Sequence, residues 1–196
     1  MERFGAKHKW MAFLDGGEFL ETTGNETLKE ILTKFGEDNG IGALGVNWRM
    51  HTSSGLLKRP ESARKSFVEC IWDDEENGGR NSNNTHVKSI VRTDKAIGPF
   101  NPHLWTLKYG ARTVGENGDV ITTLAFSFPI TRDRIALRHY AGKSREEYEQ
   151  KMPRKTGWTT LKERRFGIRW NICCLVTALR WRSMIHRHLR KNDRRK

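Results

Sequence analysis

The chain has 196 residues, 36% of them hydrophobic and 10% aromatic, with a formal net charge of +13; that is enough for one domain with a proper core and too apolar for a disordered chain. The charge is uneven. Lys162 to Lys196 holds twelve Lys or Arg against Glu163 and Asp193, a net of +10, which leaves +3 for residues 1 to 161 and excludes a uniformly basic body while keeping a basic tail.

Cys70, Cys173 and Cys174 form neither a zinc spacing nor a disulfide framework and read as buried thiols. Met1 to Lys9 is too charged for a signal peptide, and no run of about 20 apolar residues spans a membrane. Asn25-Glu26-Thr27 and Asn83-Asn84-Thr85 fit the glycosylation acceptor pattern, which permits a secretory location without arguing for it.

Along the chain, Trp10 to Leu14 is a short apolar run ending in Asp15-Gly16-Gly17-Glu18, which predicts a buried strand followed by an acidic turn. Two carboxylates beside two glycines suit a hard divalent cation carrying phosphates; the alternative is a solvated turn. Thr23 to Glu26 has capping-box spacing, and Leu28, Ile31, Leu32 and Phe35 predict a helix over about 26–35. Ala43 to Met50 returns as a strand with Val46 and Trp48, His51 to Pro60 is a loop, and Asp73 to Asn84 reads as a mobile surface loop. His86 to Arg92 alternates, with Lys88, Ile90 and Arg92 on one face. Glu116 to Asp119 is a turn signal between short strands, and Ile135 to Tyr140 completes the body. Ser144 and Glu147 form a capping box just after His139-Tyr140, so a helix start suited to an anion follows a strand end. From Thr160 a helical pattern carries an Arg, Lys and His face, read as a packed helix, a membrane-surface helix or a nucleic-acid anchor.

Trp10-x-x-Phe13-x-Asp15-x-x-Glu18-Phe19 resembles the central strand and acidic motif of GT-A-type glycosyltransferases, in the group that includes glycosyltransferase family 92 and its family 2-like relatives. Their pattern is Trp-x-x-Phe-x-Asp-x-Asp-Glu-Phe, and Gly17 stands where the second Asp of that motif would be. Three further stretches are similar. Trp48 with Ser53, Ser54, Gly55 and Pro60 follows a Trp strand and Ser-Ser-Gly loop; Lys88 to Arg92 with Asn101-Pro102-His103 follows a Lys-Ser-Ile-Val strand and Pro-His element; His139-Tyr140, Lys143-Ser144, Glu146-Glu147 and Lys151 follow a His-Tyr-x-x-Lys-Ser run.

The resemblance, over residues 8 to 157, implies an α/β fold. It would be a partial GT-A (Rossmann-like) mixed sheet with flanking helices over 1–157, then a basic helical tail over 158–196. It implies transfer of a sugar from a nucleotide sugar to a glycan or other hydroxyl acceptor, or a non-catalytic relative, since Gly17 removes a carboxylate. Asp15 and His139 would hold manganese or magnesium, with Glu18 and His103 catalytic and Trp48, Lys143 and Lys151 binding substrate. Glu18 would orient the acceptor or tune the metal site; the ordinary readings are a cap for Glu18, a strand-end histidine for His139, a loop histidine for His103 and solvated lysines. GT-A domains begin with a nucleotide-binding βαβ half before the acidic motif, where this chain has Met1 to Lys9, so the C-terminal portion of such a domain is expected. Golgi or other membrane association follows from the resemblance alone. The alternative from another class is a nucleic-acid-binding protein acting through the tail.

Overall fold

A computed structural model describes residues 5–123 and 125–151. The expected basic tail, with Cys173 and Cys174, lies outside the described residues. In chain order the elements are β1 (Trp10–Ala12), β2 (Glu18–Thr22), α1 (Leu28–Glu37), β3 (Ile41–Met50), α2 (Ala63–Ser66), β4 (Val87–Arg92), β5 (Ala96–Pro99), β6 (Trp105–Leu107), β7 (Arg112–Val114), β8 (Ile135–His139) and α3 (Arg145–Lys151). The described residues fall into two compact units: those up to His51 with Cys70–Ala141, and Thr52–Glu69 with the described residues from Gly142 onward.

The first unit is mixed α/β, a curled mixed sheet with few helices. Its strand order is β1-β4-β3-β8-β2, with β7 also on β3 and β5-β6 a separate hairpin. β3 organises it. Its first part pairs antiparallel with β4 (Ala43 opposite Val91, Asn47 opposite Val87) and parallel with β7, and its last three residues pair parallel with β8 (Trp48 opposite Leu137, Met50 opposite His139). Partners on both edges explain why Ile41 to Trp48 are all buried. Gly45 admits a close neighbour, since a Cβ there would sit 2.5 Å from Ile121 Cδ1.

α1 closes one face of the sheet. Ile31 and Phe35, four residues apart, pack with Leu44, Val46, Trp48, Ile90, Ile135 and Leu137. The helix starts later than its sequence pattern predicts because two consecutive capping boxes, Thr23 to Glu26 and Thr27 to Glu30, compete. Thr27 and Glu30 form the box that is used, with Glu30 N donating to Thr27 Oγ1 at 3.3 Å and Thr27 N to Glu30 Oε2 at 2.7 Å. Thr23 Oγ1 instead donates to the Arg132 carbonyl at 2.7 Å.

Glu26, displaced from the cap, accepts from Arg134 Nε at 2.6 Å and from Lys34 Nζ at 2.5 Å. These cations, Arg134 foremost, hold its carboxyl down to about 2. A folded-state pKa below the unfolded one contributes stability that is present above about 4.5 and is lost as pH falls toward about 2. Thermal melts of the wild type should therefore fall across that window, and a Glu26→Gln variant should lose that part of the pH dependence; parallel curves for the two proteins would refute the assignment.

Three expectations need correction. β1 ends at Ala12, so Phe13 and Leu14 leave the sheet and are exposed. Cys70 is exposed, not buried. The polar stretch 73–84 is built around a buried carboxylate: Asp74, fully buried, accepts from Asn77 Nδ2 at 2.7 Å and Asn81 N at 2.8 Å, while Asn84 Oδ1 accepts from Met50 N at 2.8 Å. Side-chain hydrogen bonds supply the order that apolar residues would otherwise give.

In the second unit, Thr52 N donates to the Glu69 carbonyl at 2.9 Å and Arg145 N to that of Leu56 at 3.1 Å. Phe67 is buried in it. The expected Ser144 and Glu147 capping box opens α3, with Glu147 N donating to Ser144 Oγ at 3.3 Å and Ser144 Oγ to Glu147 Oε2 at 2.9 Å.

Candidate functional site

Asp15-Gly16-Gly17-Glu18 links β1 to β2 as a tight turn in which Glu18 N donates to the Asp15 carbonyl at 2.9 Å. The Glu18 side chain folds back to accept from Asp15 N, also at 2.9 Å, so the two acidic residues lock each other. They differ in exposure: the Asp15 side chain is 74% exposed and that of Glu18 is fully enclosed.

The third member is Lys88 on β4. Its Nζ lies 3.1 Å from Asp15 Oδ2 and 3.4 Å from Glu18 Oε2, and its side chain is 5% exposed. Burial raises the Glu18 carboxyl above its usual range, against the Asp15 amide and the Lys88 ammonium, which pull it down. Glu18 Oε1 is buried and has no hydrogen-bond partner among the described residues.

The antiparallel register of β2 on β8 sets Glu18 opposite His139, so their side chains share one face. Gly17 is held beside this edge by Tyr140, whose N donates to the Gly17 carbonyl at 2.9 Å. Asp15, Glu18 and Lys88 thus meet as one cluster, with His139 on the adjacent strand. Among the described residues no group of three or more His, Cys, Asp or Glu side chains lies close enough to hold a metal ion by itself.

The indole of Trp48 is enclosed, at 8% exposure, and is ringed by three imidazoles: His86 stacked at 4.7 Å between centroids, His139 edge-on at 4.3 Å and His103 tilted at 5.3 Å. This makes Trp48 a wall behind His139 and a part of the core. His103 seals the part of β4 that β1 leaves uncovered: its carbonyl accepts from Ser89 N at 3.1 Å and Ser89 Oγ at 2.8 Å, and its Nδ1 meets the Val87 carbonyl at 2.9 Å. A carbonyl only accepts, so Nδ1 carries the hydrogen. Burial pushes the pKa of this ring down, against the Val87 bond, and leaves Nε2 an acceptor at neutral pH.

Lys143 is exposed, one residue before the α3 cap, and Lys151 ends α3; both belong to the second unit. On the other face of β8, Arg138 bonds Glu21 and reaches His51 Nε2 at 3.3 Å. Arginine only donates, so His51 Nε2 accepts and Nδ1, 3.7 Å from Cys70 Sγ, carries its hydrogen.

Sequence reasoning named Asp15, Glu18 and His139 but gave no role to Lys88 or His86. The signal for Lys88 was present: a lysine sharing a strand face with Ile90 needs a carboxylate partner if that face is buried. Compared with known proteins, the chain matches no protein-family model and no curated protein.

Proposed function

We propose that this chain is a glycosyltransferase-like domain of GT-A type whose acidic turn receives the diphosphate of a nucleotide sugar through a divalent cation. The observation that carries the reading is the cluster of Asp15, Glu18 and Lys88, brought together from stretches far apart in sequence, with His139 opposite Glu18 on the neighbouring strand and a buried Glu18 oxygen that has no hydrogen-bond partner among the described residues. In this reading Asp15 and His139 are the protein ligands, and the bound cation would neutralise charge developing on the leaving diphosphate. Glu18, enclosed and bonded to the Asp15 amide, tunes the turn and does not meet the acceptor directly. Trp48 and His103 hold His139 and the β4 edge, while the acceptor is a glycan or another hydroxyl compound.

Calorimetric titration with UDP and GDP, with and without manganese, tests this reading. Saturable binding that requires manganese and vanishes in Asp15→Ala is expected; binding unchanged in that variant, or none in any condition, would overturn it. Gly17→Asp sharpens the test. A Cβ at this position would meet the Tyr140 carbonyl oxygen at 3.4 Å, an ordinary contact, and a second carboxylate should tighten manganese binding roughly tenfold because affinity follows ligand charge and number.

A further inference from the structure

We infer that Lys88 is a built-in counter-ion of the acidic turn, which weakens the hold of the turn on a bare divalent cation and strengthens the hold of the loaded turn on a nucleoside diphosphate. The inference rests on the proposed cation-dependent binding at this turn and adds how one buried lysine sets its affinity for each of the two ligands.

The geometry is specific. One ammonium, 5% exposed, bridges Asp15 Oδ2 at 3.1 Å and Glu18 Oε2 at 3.4 Å, and the remaining Glu18 oxygen, Oε1, is enclosed and unpaired. A buried carboxylate oxygen without a donor is a place for a positive charge. Two carboxylates and one ammonium carry one net negative charge, so a divalent cation meets an attraction already half cancelled. With that cation bound the cluster carries one net positive charge, which draws a diphosphate. Without Lys88, two carboxylates and a divalent cation cancel, and the loaded turn has no excess charge to offer. Lys88 therefore trades affinity for the bare cation against affinity of the loaded turn for the diphosphate, while the attraction between cation and diphosphate themselves makes each raise the affinity for the other by the same factor.

A positioning role of this kind predicts shifts of opposite sign. In Lys88→Met, manganese alone should bind about tenfold tighter than in the wild type, while UDP at saturating manganese should bind about tenfold weaker, the size expected when one charge is removed at a few ångströms in a partly screened site. General damage to the turn would weaken both. Lys88→Arg keeps the charge and should keep both affinities near wild type. Because Lys88→Met leaves Glu18 enclosed without its cation, Lys88→Gln, which keeps a hydrogen-bond donor and removes the charge, is measured beside it, with far-ultraviolet circular dichroism to establish folding.

The wild-type chain gives a third readout that needs no variant: saturating UDP should raise its manganese affinity about tenfold. Opposite shifts in the charge-removing variants, with this coupling in the wild type, establish the inference. Loss of both affinities, a rise in neither, or wild-type manganese binding indifferent to UDP overturns it. Manganese binding that survives Asp15→Ala in the Lys88→Met background would instead overturn the underlying reading, because the cation would then sit elsewhere.

Discussion

Replacing Trp48 by alanine should lower the unfolding free energy by about 4 kcal/mol, the usual cost of deleting a large aromatic side chain from a packed interior. Trp48 is 8% exposed, belongs to the main apolar cluster and carries His86, His103 and His139 on its ring. Its truncation opens a cavity where β3, β4 and β8 meet and removes the surface on which three imidazoles rest. The indole Nε1 has no hydrogen-bond partner among the described residues. Trp48→Phe therefore loses volume but no hydrogen bond, and should cost only about 1–2 kcal/mol. Urea unfolding followed by circular dichroism measures both. A loss under about 1 kcal/mol for the alanine variant would contradict the packing role, since small domains have only about 5–15 kcal/mol in total.

The second large effect is expected at Glu116, a buried carboxylate that fixes the start of β8. Its Oε1 accepts from Asp133 N at 2.8 Å, and its Oε2 accepts from Arg134 N at 3.0 Å and Ile135 N at 2.9 Å, while Arg134 Nη1 donates to the Glu116 carbonyl at 2.9 Å. One side chain thereby satisfies three successive amides ahead of the strand that carries His139. Glu116→Ala leaves those amides without acceptors and should cost about 3 kcal/mol, most of it at the fully buried Ile135. Glu116→Gln keeps an acceptor oxygen but turns an NH₂ toward an amide, so it should lie between the two. Hydrogen exchange adds a local readout. The Ile135 amide should lose protection in Glu116→Ala beyond the global change in stability, and unchanged protection there would remove Glu116 from this role.

Several elements were legible in the sequence because their signals are local. The alternation of His86 to Arg92 and the apolar content of Ala43 to Met50 name β4 and β3 directly, and the Ser144 capping box marks the start of α3. What was hidden depends on partners distant in the chain. Lys88 is 73 residues from Asp15 in sequence, and the pairing of β2 with β8 spans 117 residues between Glu21 and Arg138. No local periodicity encodes such a register. Glu116 read as a turn residue because its partners lie 17 to 19 residues downstream. The stretch 73–84 read as a mobile loop because composition counts polar residues and does not see that Asp74 gathers them. The frame of the α1 cap was missed for a simpler reason: Thr23 and Thr27 both stand three residues before a glutamate, and only packing of Ile31 and Phe35 against the sheet selects Thr27.

The acidic turn as a cation and diphosphate site is tested most directly by paramagnetic broadening of amide signals in the full chain. With manganese and UDP added together, the account predicts loss of signal at residues 15–18 and 137–140 at substoichiometric metal, abolished in Asp15→Ala while the rest of the spectrum is unchanged. Broadening that is spread over the chain, or that persists in Asp15→Ala, would contradict it.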